Sequence, residues 1–172
     1  VSRTHRPILG TLTRTWPDEA ACAADASAWA RRAPAALADA IVCLDGPLGA
    51  GKTAFARHLL RALGVSGRVR SPTYTLMEPY EWAAAGRRQA VSHFDFYRFE
   101  DPEEWSSAGF REVFAAPGLK LVEWAARAGD LMPAPDLVLE LEPLEGDRRR
   151  VLACAYTQRG LDLIDAWRDD SP

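Results

Sequence analysis

Asparagine is missing from the 172 residues altogether, and lysine occurs only twice. Without asparagine there is no N-glycosylation acceptor and no Asn-Lys-x-Asp reader of the kind many GTPases use for guanine, so a bound nucleotide is expected to carry adenine. Cysteine is scarce: Cys22, Cys43 and Cys154 are odd in number and far apart. They fit neither a disulfide framework nor metal-ligand spacing, and a reducing, cytoplasmic setting is the expectation. Long apolar runs are missing too. Ala40 to Leu44 is far too short for a bilayer, and the opening Val-Ser-Arg-Thr-His-Arg has no apolar region behind its charges, so neither membrane insertion nor export is expected. Nor does one sign of charge dominate: 21 Lys plus Arg against 24 Asp plus Glu leave a net charge of -3. Such a balance offers no footprint for gripping a nucleic acid unaided, and any link to one is expected to be indirect.

Repeats, low-complexity tracts and long linkers are also lacking, so 1–172 reads as a single domain, with about 1–10 and 169–172 flexible. Thr11 to Trp16 alternates like a short strand. Pro17-Asp18-Glu19 then opens an alanine-rich helix running to about Arg32. Ala40 to Leu44 is continuously apolar, as a parallel strand covered on both faces tends to be. From Lys52 to Leu63, Phe55, Leu59, Ala62 and Leu63 form one helical stripe with Gly64 as its end. Further strands are expected at Thr73–Met77, Ala90–Tyr97, Leu119–Trp124, Leu137–Leu141 and Val151–Ala155. Asp101-Pro-Glu-Glu104 starts a helix that Gly109 stops, and Leu161–Trp167 reads as a terminal helix. This arrangement is α/β, a three-layer sandwich with a mostly parallel sheet of the P-loop NTPase type.

Gly46-Pro-Leu-Gly-Ala-Gly-Lys52-Thr53 matches G-x-x-x-x-G-K-[ST] and sits between an apolar strand and an amphipathic helix. In that position glycines let the backbone curl so that N–H groups point at phosphate oxygens, the helix start adds its positive end, and Lys52 supplies a compact charge. The Thr53 hydroxyl can serve Mg²⁺. An acidic partner is then needed at the end of a neighbouring strand. Asp95, in Val91-Ser-His-Phe-Asp-Phe-Tyr-Arg98, and Glu123, closing Leu119-Lys-Leu-Val-Glu-Trp124, are the two candidates. Simpler readings pair Asp95 with Arg98 and leave Glu123 as a solvated edge residue. His93 reads as a half-buried structural histidine, Trp105 and Trp124 as packing residues, and Arg148 to Arg150 as a turn that could reach a nucleotide.

Together with the phosphate loop, Ser71-Pro-Thr-Tyr-Thr-Leu76, His93-Phe-Asp-Phe-Tyr-Arg98 and Val122-Glu-Trp124 make the sequence resemble the TsaE family, also called YjeE. The resemblance covers about Pro17 to Ala155. It implies ATP/ADP and Mg²⁺ at the loop with slow hydrolysis, Lys52, Asp95 and Glu123 being catalytic and Thr53 and Glu123 ligating the metal. ATP contacts are implied for Leu48, Gly49, Ala50, Gly51, Lys52, Thr53 and Ala54, with Glu19 and Arg148 near the adenine. Ser71, Thr73 and Thr75 would form a switch segment, and Trp124 would face partners. The family acts with TsaD and TsaB in forming N6-threonylcarbamoyladenosine at position 37 of tRNAs that read codons beginning with A. Three residues depart from the family pattern: Pro47 where an acid is usual, Ala54 where a second threonine is common, and Ala125 where a proline commonly follows the tryptophan. Two other functions keep the phosphate loop: a small-molecule kinase, which would need an acceptor pocket and an arginine-rich lid, and a binding module that never turns its nucleotide over.

Overall fold

A computed structural model describes residues 6–84 and 86–168. In chain order the elements are β1 (Gly10–Trp16), α1 (Glu19–Arg32), α2 (Pro34–Leu37), β2 (Ile41–Asp45), α3 (Lys52–Ala62), β3 (Met77–Ala84) and β4 (Arg87–Asp95). They continue with α4 (Pro102–Ser107), α5 (Phe110–Ala115), β5 (Leu119–Glu123), α6 (Ala125–Ala128), a 3-10 turn at Gly129–Leu131, β6 (Leu137–Pro143), β7 (Arg149–Ala155) and α7 (Gln158–Arg168). One seven-stranded sheet runs β1-β7-β6-β2-β5-β4-β3. The four central strands, β6-β2-β5-β4, are parallel, and the antiparallel pairs lie toward the two edges. That matches the expected α/β architecture, with hairpins closing a parallel centre.

Alternation along the central strands sends side chains to two separate cores. Val42, Leu44, Leu119 and Leu121 join a core shared with α1, α3 and α7. Cys43, Phe94 and Val122 join a second core with Phe96, Trp105, Phe110 and Phe114 from the α4–α5 side. Helix α1 begins on the side chain of Asp18, which accepts from the Ala21 N–H at 2.9 Å. In α3, Phe55, Ala56, Leu59 and Leu60 are buried, and Phe55, Leu59 and Leu60 each contribute about 1.5–3 kcal/mol by leaving water. Ala62, expected on this stripe, is exposed; the helix rotates it off the buried face. Phe55 stacks on Trp16 and meets Trp29 edge-on, so the helix that follows the glycine-rich loop is anchored by aromatic contacts from two other elements.

Two expectations change. Residues 73–75 form turns, and the strand starts at Met77 and runs to Ala84 as the sheet's edge, paired with β4. Leu76 adopts a φ of 61° and hands its carbonyl to the Asp95 N–H, which sets the bend. Of the expected loose ends, 1–5 and 169–172 lie outside the described residues, while the Leu9 N–H already donates to the Ala155 carbonyl and Gly10 opens β1.

Candidate nucleotide and metal site

The parallel strands β2, β5 and β4 end side by side, and their register fixes what meets there. Leu44 pairs with Glu123, and Glu123 with Asp95, so the two carboxylates leave adjacent strands next to the turn that follows β2. Both are buried, with Glu123 only 2% exposed and Asp95 5%. Glu123 is therefore no solvated edge residue, because β5 runs between β2 and β4 in the middle of the sheet.

The turn itself needs its glycines. Gly46 has a φ of 138°, and a Cβ there would lie 2.3 Å from the Leu141 carbonyl oxygen. Gly49 and Gly51 also take left-handed conformations, at φ 78° and 103°, and Gly51 leads directly into α3. Pro47 is accommodated, and its carbonyl accepts from the Ala50 N–H. Leu48 is exposed at the tip and Ala50 is buried beneath it. The Lys52 ammonium folds along the inside of the turn, donating to the Gly46 and Pro47 carbonyls at 2.6 and 2.8 Å, and lies 4.1 Å from the centre of the Trp124 ring. Burial pushes its pKa down, and the charges of Glu123, Asp45 and Asp95 pull it back up.

At the first turn of α3 the Thr53 hydroxyl donates to Glu123 Oε2 at 2.8 Å. The other oxygen, Oε1, lies 2.9 Å from His93 Nε2. Asp95 is held differently. Its Oδ1 accepts from the Tyr97 N–H, and its Oδ2 from Thr73 Oγ1 at 3.2 Å, with Ser71 Oγ a further 2.7 Å from Thr73. Ser71 and Thr73 thus reach the site, whereas the Thr75 hydroxyl turns to Glu78. Arg98 does not pair with Asp95; it lies over the exposed Tyr74 ring. Trp124, at φ 58°, meets the Tyr97 ring at a tilt, with centres 5.0 Å apart, and covers Lys52.

On the other side of the loop, a cleft of about 240 Å³ is lined by Trp16, Glu19, Cys22, Gly51, Ala54 and Arg149, among others. Glu19 also meets His58 at 2.9 Å. Arg148 is exposed in the turn before β7, and Arg149 is the arginine that faces the cleft, its Nε donating to the Ala50 carbonyl at 3.2 Å. The strand begins two residues earlier than its apolar run, and alternation then puts Arg149 on the same face as the buried Val151. The sequence points to the loop, the acids and the run Arg148 to Arg150, but it singles out Arg148 within that run where the cleft takes Arg149, and Asp147, which carries no motif, was missed. A larger cleft of about 490 Å³ beside Pro47 and Trp124 is walled by Asp45, Glu140 and Glu142, and its Arg150 is paired with Glu142. Acidic walls of that kind repel phosphate.

Among the described residues, no cluster of three or more His, Cys, Asp or Glu side chains could hold a metal by itself. One carboxylate and one hydroxyl suit Mg²⁺, which is usually bound through one or two carboxylates together with substrate phosphates and water. No helix among the described residues is long and apolar enough to cross a membrane.

Comparison with known proteins places this arrangement. The chain matches the family model "Threonylcarbamoyl adenosine biosynthesis protein TsaE" over residues 17–151. It is 37% identical over 127 residues to the tRNA threonylcarbamoyladenosine biosynthesis protein TsaE of Haemophilus influenzae, covering 74% of this chain and 77% of that protein. The TsaE protein of Bacillus subtilis is 33% identical over 119 residues, covering 69% and 72%. The crystal structure of Bacillus subtilis YdiB superposes with a TM-score of 0.70 at 24% identity, over 94% of this chain and 97% of that one, a likeness of fold. With the motif blocks, the site geometry and the family model all covering the same span, the chain belongs to the TsaE family of tRNA threonylcarbamoyladenosine biosynthesis proteins.

Proposed function

We propose that the chain binds ATP with Mg²⁺ at the loop 46–53, hydrolyses it slowly, and serves as an accessory switch for the TsaD and TsaB homologues that modify tRNA. The observation that carries this reading is the 2.8 Å contact between Thr53 Oγ1 and Glu123 Oε2, which brings a P-loop hydroxyl and a strand-end carboxylate to one point beside Lys52. A Mg²⁺ ion held by these two side chains would neutralise charge on the phosphates. Lys52 would trade its carbonyl partners for phosphate oxygens, and the N–H groups at the start of α3 would add to the cradle.

Hydrolysis requires a water near the terminal phosphate and a group to orient it. Asp95 is the group in reach of the switch segment, and its bond to Thr73 links that segment to the site. Rearrangement at residues 71–73 would therefore change what Asp95 can hold, and this is the coupling that a nucleotide switch needs. Intrinsic turnover is expected to be low without the partners, because an arginine supplied in trans can be worth about 10³ to 10⁵ in rate. Contact with tRNA would come only through the partner complex, and the setting would be the cytoplasm.

Phosphate release measured in single turnovers, with and without the TsaD and TsaB homologues, tests the reading. Acceleration by the partners supports it. ATP bound but never cleaved in either case would leave a binding module, and transfer to a small metabolite would make the chain a kinase.

A further inference from the structure

His93 is fully buried on an inner strand, between β3 and β5, where its register partners are Glu78 and Leu121. Its Nε2 lies 2.9 Å from Glu123 Oε1, and its Nδ1 has no hydrogen-bond partner. A carboxylate that ligates a metal only accepts, so on the metal reading the proton of this contact would sit on Nε2. A proton on Nδ1 would be a buried donor with nothing to receive it, a rare and costly arrangement. The two oxygens of Glu123 are thereby divided: Oε1 is engaged by the imidazole, and Oε2 is turned to Thr53.

We infer that His93 is a positioning residue that makes Glu123 a one-oxygen ligand, and so tunes the site toward small octahedral cations and against Ca²⁺. This rests on the metal reading of Thr53 and Glu123 given above. Mg²⁺ takes six ligands in strict geometry, whereas Ca²⁺ takes six to eight and often draws on both oxygens of a carboxylate. A carboxylate with one oxygen already held by a buried donor suits the first cation better than the second. The ring is fully buried on a strand paired on both sides, which restricts its rotation away from Glu123.

The test uses the full chain in three measurements. Long-range proton–nitrogen correlation on ¹⁵N-histidine protein, with the His93 signals identified from their loss in His93→Gln, reads the tautomer directly. The Nε2–H form is expected, and an Nδ1–H form would overturn the inference without any variant. Manganese binding in the presence of ATP, followed by electron paramagnetic resonance and competed with Mg²⁺ or Ca²⁺, reads affinity and preference. His93→Asn, whose amide falls near the Nδ1 position, should weaken Mn²⁺ about tenfold and narrow the Mg²⁺-over-Ca²⁺ preference. His93→Gln, whose amide reaches the Nε2 position, should keep both near the parent values. If His93→Asn does not fold, the Gln variant decides: retained preference supports the role and lost preference refutes it. Equal behaviour of two folded variants also refutes it. Glu123→Gln separates the two levels. Unchanged Mn²⁺ affinity there would sink the metal reading itself, while loss there with unaffected His93 variants would sink only this inference.

Discussion

The two flanks of the phosphate loop are built on opposite plans. On the flank proposed to hold the metal, the buried Glu123, His93 and Asp95 from the parallel strands converge with the half-buried Thr53 from the first turn of α3, Glu123 being bonded to both His93 and Thr53. On the flank proposed to hold the base, Trp16, Glu19 and Arg149 come from an edge strand, a helix start and a turn-side strand, around an open cleft. Buried charged groups have to be paired at short range, which leaves their geometry almost no slack. An open cleft bordered by half-exposed groups tolerates adjustment. On the proposed function, the difference implies that the acidic flank would set whether chemistry can occur, and the cleft flank how well the nucleotide is held.

Lys52 belongs to both flanks, and its loss should have the largest effect. Lys52→Ala is expected to lower ATP affinity about 100-fold, with or without Mg²⁺, when titrated calorimetrically. Glu123→Gln should remove most of the Mg²⁺ dependence, about tenfold or more, while affinity in chelator stays near the parent value. Arg149→Ala should do the reverse, costing about fivefold in ATP affinity and leaving the ratio with and without Mg²⁺ unchanged. Loss of that ratio in Arg149→Ala would break the separation of the flanks. Thr73→Val should change affinity by less than about twofold yet loosen residues 71–76, seen as faster amide exchange there. The smallest effect concerns Cys22 at the cleft. Its thiol is pushed up to about 12, first by burial and then by Asp25 and Glu19, so labelling by a disulfide reagent at neutral pH should be slow in the folded chain. Rapid labelling would mean that the cleft flank opens far more than its packing implies.

How far each flank was legible follows from the same contrast. Thr53, Asp95 and Glu123 could be found because each ends an apolar strand or opens a helix in a short run, where spacing alone limits what the side chain can meet. Arg149 could not, since a strand starting with the apolar run at Val151 leaves it in a turn, and only the start of β7 at Arg149 puts it on the face of Val151. Edge strand β3 was also hidden: Pro79 within it argues against a strand, and the structure resolves this by placing it at the sheet edge. His93 was seen as a structural histidine. Its contact with Glu123 depends on the pairing of β4 with β5, which no local pattern records.

The claim on which the account turns is that Thr53 and Glu123 act as one ligand pair. Affinity for Mn²⁺ in the presence of ATP, measured for Thr53→Ala, Glu123→Gln and the double variant, tests it most directly. The account predicts that each single variant loses most of the affinity and that the double variant loses little more than either. Full additivity of two small losses, or parent-like affinity in both single variants, would contradict it.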